Sequence, residues 1–267
     1  MKLLITGAAG KIGRVLRRGL AGSYDFTRLA DIAPQDAAGV GEECIDLDIG
    51  DLAATVAAVE GIDCVIHLAG VSVEPEDNAW AQVLPTNIVG TYNVFEAARL
   101  AGVKRVVFAS SNHVVGFHRR EVVTDCSAVA RPDSYYGVSK VFGEALGRLY
   151  ADKHGLSVAC LRIGSFREYP EDPRMLATWI SARDGVQLFR RCIDAPDFHF
   201  LIAYGISDNA SSFWSNSGIE WLGYRPEDTA ETYASDFAGM TEDAVIRQFH
   251  GGSYCEMNFT GDPSRIE

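Results

Sequence analysis

The sequence has no apolar run long enough to span a bilayer, and no signal peptide precedes its first hydrophobic stretch, Leu3-Leu4-Ile5. A cytoplasmic protein with no membrane partner is expected. Cysteine is sparse and scattered. Cys44, Cys64, Cys126, Cys160, Cys192 and Cys255 include no Cys-x-x-Cys pair, which argues against a disulfide framework or a zinc site. The six histidines show no metal-ligand spacing either, so no metal is expected. Positive charge is in short supply: 24 Lys and Arg stand against 36 Asp and Glu, a net charge of −12. Such a surface repels nucleic acid and anionic lipid. A small anionic substrate would therefore need a local cation. There is no repeat, low-complexity segment or linker, and 267 residues with 47% hydrophobic content suit an α/β protein of one large or two small domains.

What is present begins with an apolar strand, Lys2 to Thr6, then Gly7-Ala8-Ala9-Gly10-Lys11-Ile12-Gly13 and a helical run from Arg14 to Leu20. Glycines three apart at a first strand-to-helix turn suit a dinucleotide. The turn is tight, its backbone can approach a pyrophosphate, and the helix N-terminus faces the phosphates. A tight turn without ligand is the plainer alternative. The second strand, Phe26 to Ala30, ends at Asp31, about 20 residues beyond the glycines. An acid there accepts ribose hydroxyls and repels a 2′-phosphate, so NAD is the expected cofactor; otherwise Asp31 is a strand-end cap. A third strand is expected over Cys44–Ile49, with Asp48 and Ile49 beside the adenine, unless Asp48 merely caps the following helix.

A fourth strand, Asp63 to Gly70, is nearly all apolar, and Leu68, Ala69 and Gly70 would let the cofactor lie against the backbone. His67 suits a packed core histidine. A helix containing Asn87 leads to a fifth strand, Arg105 to Ala109, then Ser110-Ser111-Asn112-His113. A sixth strand, Ser157 to Gly164, ends at Ser165. The alternation predicts an α/β doubly wound parallel sheet, a Rossmann fold, with ligands at the strands' C-terminal ends. Ser72, Ser111 and His113 follow such ends. Residues 1–165 would form mainly the NAD-binding core. Residues 166–267 would form a small C-terminal substrate-capping portion of the same domain, with a terminal helix near Thr229 and a tail past Gly251 that no pattern assigns.

The stretch Ser134-Tyr135-Tyr136-Gly137-Val138-Ser139-Lys140 opens an amphipathic run to about His154. On a helix Tyr136 and Lys140 share a face. Lowering a tyrosine pKa by about 3 units takes roughly 4 kcal/mol, about what one positive charge at 4 Å supplies at an effective dielectric near 20. Tyr136 is thus a candidate general base tuned by Lys140 and a cationic cofactor, with desolvation opposing part of the shift. Arg174 follows a proline- and carboxylate-rich loop. It either grips a substrate carboxylate or pairs structurally with Glu171 or Asp172.

Together, Thr6 to Gly13, Asp31, Asp48, His67 to Gly70, Asn87, Ser111 and Tyr136 to Lys140 resemble the extended short-chain dehydrogenase/reductase family over essentially the whole chain. The resemblance implies Tyr136 as catalytic base, Lys140 on the nicotinamide ribose, Ser111 on the reacting oxygen, and Asn87 supporting the lysine through a water relay. Ala109 to His113, Tyr136 to Lys140, Arg162 to Ser165 and Arg174 to Trp179 are similar to one branch, the uronate dehydrogenases. That implies NAD-dependent oxidation of glucuronate or galacturonate at the anomeric carbon to an aldarolactone. Ser72, Ser111, Asn112, His113, Tyr136, Ser165 and Arg174 would then line the sugar site. The chain departs from the branch at Ala69, Val71 and Phe166, changes expected to affect packing more than chemistry. The resemblance also implies a homo-oligomer, with a hexamer as one form. Two other readings are a nucleotide-sugar epimerase or dehydratase of the same fold and a non-catalytic NAD-sensing regulator.

Overall fold

In the computed structural model, which describes residues 1–74 and 78–266, nine strands and eight α-helices follow one another. The strands are β1 (Lys2–Thr6), β2 (Phe26–Asp31), β3 (Glu42–Asp46), β4 (Cys64–His67), β5 (Arg105–Ser111), β6 (Ser157–Ile163), β7 (Ser165–Phe166), β8 (Trp179–Ile180) and β9 (Phe200–Gly205). The helices are α1 (Lys11–Gly19), α2 (Leu52–Ala58), α3 (Ala79–Val83), α4 (Thr91–Leu100), α5 (Tyr135–His154), α6 (Met175–Thr178), α7 (Ala182–Asp194) and α8 (Ser253–Glu256). Seven strands form one sheet in the order β3-β2-β1-β4-β5-β6-β9. The pairs β1–β2, β1–β4, β2–β3 and β4–β5 are parallel, with Leu4 opposite Arg28 on one side and Val65 on the other. The winding direction reverses between β1 and β4, so a crevice opens at their C-terminal ends. This is the doubly wound Rossmann arrangement. No helix among the described residues is long and apolar enough to cross a membrane.

The chain divides into two compact units. The first comprises Met1–Ala109, Phe142–Cys160 and Cys192–Leu201; the second comprises Ser110–Val141, Leu161–Arg191 and Ile202–Glu267. The division is therefore not one cut near residue 165, because Ser110–Val141 groups with the C-terminal residues. In the first unit, β1 and β4 are almost wholly buried, as their apolar sequences require. His67 is a core residue, with Nδ1 2.8 Å from the Thr6 hydroxyl and Nε2 3.2 Å from that of Thr91. In the second unit a cluster of Val114, Val115, Ala177, Tyr204, Ile206, Phe213 and Trp214 forms the core. Tyr204 stacks on Trp214 with centroids 5.4 Å apart. The wholly buried Asp184 carboxylate binds that unit's loops, accepting from the Ser207 hydroxyl (2.6 Å) and the Glu227 (2.9 Å) and Asp228 (3.0 Å) amides.

Three local expectations are corrected. β3 spans Glu42–Asp46 and not Cys44–Ile49, because the Asp48 side chain accepts from the Gly50 amide at 2.8 Å and turns the chain out of the sheet. Helix α2 is capped by Asp51, which accepts from Ala54 N, and not by Asp48. The terminal helix expected near Thr229 is 3-10 helical, Ala230–Phe237. The C-terminal tail, unassignable from sequence, is tied down by two arginines. Arg119 donates to the carbonyls of Pro263 and Ile266 and to Gln248 Oε1. Arg120 pairs with Glu242 and donates to the Phe249 carbonyl at 3.0 Å.

Gly7 has φ +72°, and a Cβ there would lie 2.6 Å from Ala69 N. Both conformation and room require glycine. Gly7→Ala is expected to lower stability by about 1–3 kcal/mol, read as a lower urea midpoint, and to weaken NAD binding. An unchanged midpoint would contradict the close approach of this turn to β4.

Candidate active site

The first unit carries the glycine turn and Asp31. Gly10 heads α1 without any side-chain cap, so the amides of Lys11, Ile12 and Gly13 are left for another acceptor. A Cβ on Gly13 would lie 2.5 Å from the carbonyl oxygens of Gly7 and Ala8, so its absence lets the helix sit on the turn. Asp31 accepts from Ala9 N through Oδ2 and from Ala33 N through Oδ1, both at 2.9 Å. It therefore braces the glycine turn, and each carboxylate oxygen keeps a lone pair for a ribose hydroxyl. A cavity of about 340 Å³ beside the turn is lined by Ala8, Ala9, Arg14, Pro34 and Gln35 among others. Arg17, on the same wall, is neutralised by Glu42 at 2.7 Å. Asp48 is exposed and Ile49 buried.

One support, Asn93, was not legible in the sequence, and Asn87 makes a contact that its sequence role did not include. Asn93 Nδ2 donates to the carbonyls of Ile49 (2.8 Å) and Gly50 (2.9 Å), fixing the loop after β3. Asn87 lies in a π-helical segment, Leu84–Gly90, a form that often marks functional sites. Its amide clamps Val71, accepting from Val71 N at 2.7 Å and donating to Val71 O at 2.9 Å. That clamp shapes the loop after β4, which carries Leu68, Ala69, Gly70 and the exposed Ser72. These residues fit a dinucleotide: a cradle without side chains, uncapped helix amides and an acid at the ribose position.

The second unit gathers Ser111, Asn112, His113, Tyr136, Lys140, Ser165 and Arg174. Ser134 caps α5, accepting from Gly137 N at 2.9 Å, a contact worth about 1 kcal/mol. Gly137 allows that helix to approach the His113 carbonyl, 2.5 Å from where a Cβ would sit. The Tyr136 hydroxyl is hydrogen-bonded to Ser111, and Lys140 Nζ lies 5.5 Å from the Tyr136 ring centre. The expected acidification of Tyr136 by Lys140 is not what the chain produces by itself. Burial pushes the phenol up to about 12, Tyr254 and Asp133 add to the rise, and the Ser111 hydrogen bond opposes it. Burial pulls Lys140 down to about 8. Desolvation disfavours both charged forms, and it outweighs the attraction between them.

Arg174 does not form the ion pair with Glu171 or Asp172 that its sequence neighbourhood offered. Its Nε donates to the His250 carbonyl at 2.6 Å, and its Nη2 donates to the Asn112 amide oxygen at 2.7 Å. The Asn112 amide nitrogen donates in turn to Ile163 O at 3.0 Å. Glu171 pairs with Arg167 at 3.2 Å, and Asp172 accepts from Met175 N at 2.8 Å. Among the described residues no carboxylate pairs with Arg174, and burial lowers the guanidinium's pKa, with Arg120 acting the same way. A partly buried cation held by neutral oxygens keeps its charge available to an anion. Gly252, at φ +64°, gives it room, since a Cβ there would meet Arg174 Cδ at 2.5 Å. Ser165 Oγ lies 2.9 Å from Thr178 Oγ1.

The model of the NAD-dependent epimerase/dehydratase family matches residues 3–190. A uronate dehydrogenase from Pseudomonas putida is 47% identical over 87% of this chain and 86% of its own. A structure of uronate dehydrogenase from Agrobacterium tumefaciens, a Y136A mutant complexed with NAD, is 42% identical. It has a TM-score of 0.89 and covers 96% of this chain and 97% of that one. A glucuronic acid dehydrogenase from Chromohalobacter salexigens is 38% identical with a TM-score of 0.90, covering 99% of this chain and 98% of that one.

The phenol of Tyr136 is expected to stay protonated beyond pH 10 in the protein without ligands. The check is the tyrosinate absorbance titration of the parent minus that of Tyr136→Phe. A difference curve with a midpoint below pH 10 would show that Lys140 alone acidifies the ring.

Proposed function

The chain belongs to the NAD-dependent epimerase/dehydratase family, and on that premise we propose that it oxidises a hexuronate, glucuronate or galacturonate, at the anomeric carbon to an aldarolactone. The observation that carries this reading is Arg174, a guanidinium without a carboxylate partner among the described residues, in the same unit as the Ser111–Tyr136 pair. Resemblance to uronate dehydrogenases, one of them solved with NAD, supports both the substrate class and the cofactor.

In this mechanism the sugar stays cyclic, with its carboxylate on Arg174 and Asn112 steadying the guanidinium. Ser111 and Tyr136 hold the anomeric hydroxyl. Tyr136, as phenolate, takes the hydroxyl proton while C1 releases hydride, and the C1–O bond becomes a carbonyl. Because the ring is closed, that carbonyl is a lactone. NAD, when bound on the glycine turn and Asp31, supplies the hydride acceptor and a positive charge that favours the phenolate. Lys140 adds a second cation on the same helix face. Since the base form is the deprotonated one and the phenol's pKa is raised, the rate rises with pH through the neutral and alkaline range.

Arg174→Ala is expected to raise the uronate KM by at least about tenfold, in line with a lost charge-assisted bond, while the KM for NAD stays within about twofold. Steady-state NADH absorbance with a panel of uronates and neutral hexoses measures it. Equal effects on both KM values would make Arg174 a structural residue. Turnover of a nucleotide sugar with no net NADH would replace the proposal with an epimerase.

A further inference from the structure

No sequence motif marks Asp133, yet its side chain is completely buried beside the candidate site. Oδ2 accepts from His113 Nδ1 at 2.7 Å, and Oδ1 accepts from the Ser134 hydroxyl at 2.8 Å. The recess that holds it is made by two glycines far apart in sequence. A Cβ on either Gly116 or Gly251 would fall 1.9 Å from Oδ2. The His113 ring rests on Tyr254, with centroids 4.0 Å apart and planes at 31°, and meets Tyr136 edge-on at 5.8 Å. Its backbone amide donates to Ser111 Oγ at 3.2 Å.

A carboxylate only accepts, so Nδ1 carries the proton and Nε2 of the neutral ring presents its lone pair. Nε2 has no hydrogen-bond partner among the described residues, and it is not sealed from solvent. One ring nitrogen is therefore locked and the other left open, beside the serine and tyrosine that would hold the reacting hydroxyl.

We propose that Asp133 is a positioning residue for the sugar chemistry: it fixes the tautomer and plane of His113, with Tyr254 as backing, so that Nε2 receives a hydroxyl of the bound sugar acid. This rests on the uronate-oxidation reading. Around Tyr136 stand Ser111, His113, Lys140, Tyr254 and Asp133; around Asp133 stand His113, Ser134, Arg174 and Cys255. The Asp133 charge opposes ionisation of Tyr136. Its removal should therefore impair handling of the sugar while making the base easier to ionise.

The full-length Asp133→Asn protein preserves the side chain's size in its glycine recess. Its kcat/KM for uronate is expected to fall roughly ten- to a hundredfold, as when a histidine loses an orienting carboxylate. Its NAD affinity should be unchanged, and the rising limb of its pH–rate profile should move to lower pH. The limb reports the lost charge, and the tautomer and ligand response of His113 report the positioning. In the parent protein, nitrogen NMR of labelled histidines should show His113 protonated at Nδ1, with the Nε2 resonance moving when uronate is added. Unchanged kcat/KM and pH limb in Asp133→Asn would overturn the proposal. So would a parent His113 protonated at Nε2, or an Nε2 resonance indifferent to uronate. If Asp133→Asn does not fold, the parent spectra decide alone. Failure of the uronate reading is separable, because it appears as absent NADH production by the parent or as full activity in Tyr136→Phe.

Discussion

Desolvation is the constraint on which the second unit depends. It acts on three groups at once, moving Tyr136 up, Lys140 down and the Arg174 guanidinium down. Each shift is toward the neutral form, and in the free chain nothing offsets the shifts fully. A phenol at about 12 lies about 5 units above neutrality, a gap of roughly 7 kcal/mol. One cation at about 4 Å supplies roughly 4 kcal/mol at an effective dielectric near 20. Lys140 already stands in the free chain, so under the proposed function part of that gap is closed by the oxidised cofactor's positive charge. Under the proposed function Tyr136 would therefore depend on its ligands, its proton leaving readily only with cofactor and sugar bound.

Under the proposed function Arg174 would answer a second electrostatic problem. A net charge of −12 repels a sugar acid at long range. At ordinary ionic strength that repulsion is screened within about 8 Å, so a short-range cation can prevail. It must not be neutralised beforehand, and the structure meets that requirement with oxygens that carry no charge, the His250 carbonyl and the Asn112 amide. Nearby acids are engaged elsewhere: Glu171 on Arg167, Asp133 on His113, and Glu242 on Arg120.

Much of this was legible in the sequence because it is local. The apolar runs of β1, β2, β5 and β6, the glycine turn and the Tyr136–Lys140 helix each depend on neighbouring residues, and each falls where periodicity and spacing place it. Arg174 was singled out because the chain's overall charge called for a local cation. What escaped was non-local. Asp133, Gly116 and Gly251 become a recess only when segments more than a hundred residues apart meet. Tyr254 sits in a four-residue helix too short to announce itself. The length of β3 was misjudged because an Asx turn at Asp48, and not a loss of hydrophobicity, ends the strand. The desolvation of Tyr136 depends on what covers it, which no motif records.

The C-terminal segment is therefore a working part of the second unit. His250 illustrates how. Its ring is wholly buried, accepting from Trp214 Nε1 at 3.0 Å and stacked on Phe213 at 4.3 Å, and burial pulls it down to about 3. It is neutral at any working pH and so adds no charge beside Arg174. Its side chain anchors the segment in the core while its carbonyl aims the guanidinium. The next two residues, Gly251 and Gly252, leave room for Asp133 and Arg174 respectively. Three consecutive residues thus orient an arginine and make room for an aspartate. A side chain at either glycine would displace a group that the proposed chemistry needs, which explains physically why this stretch is small where the tail around it is not.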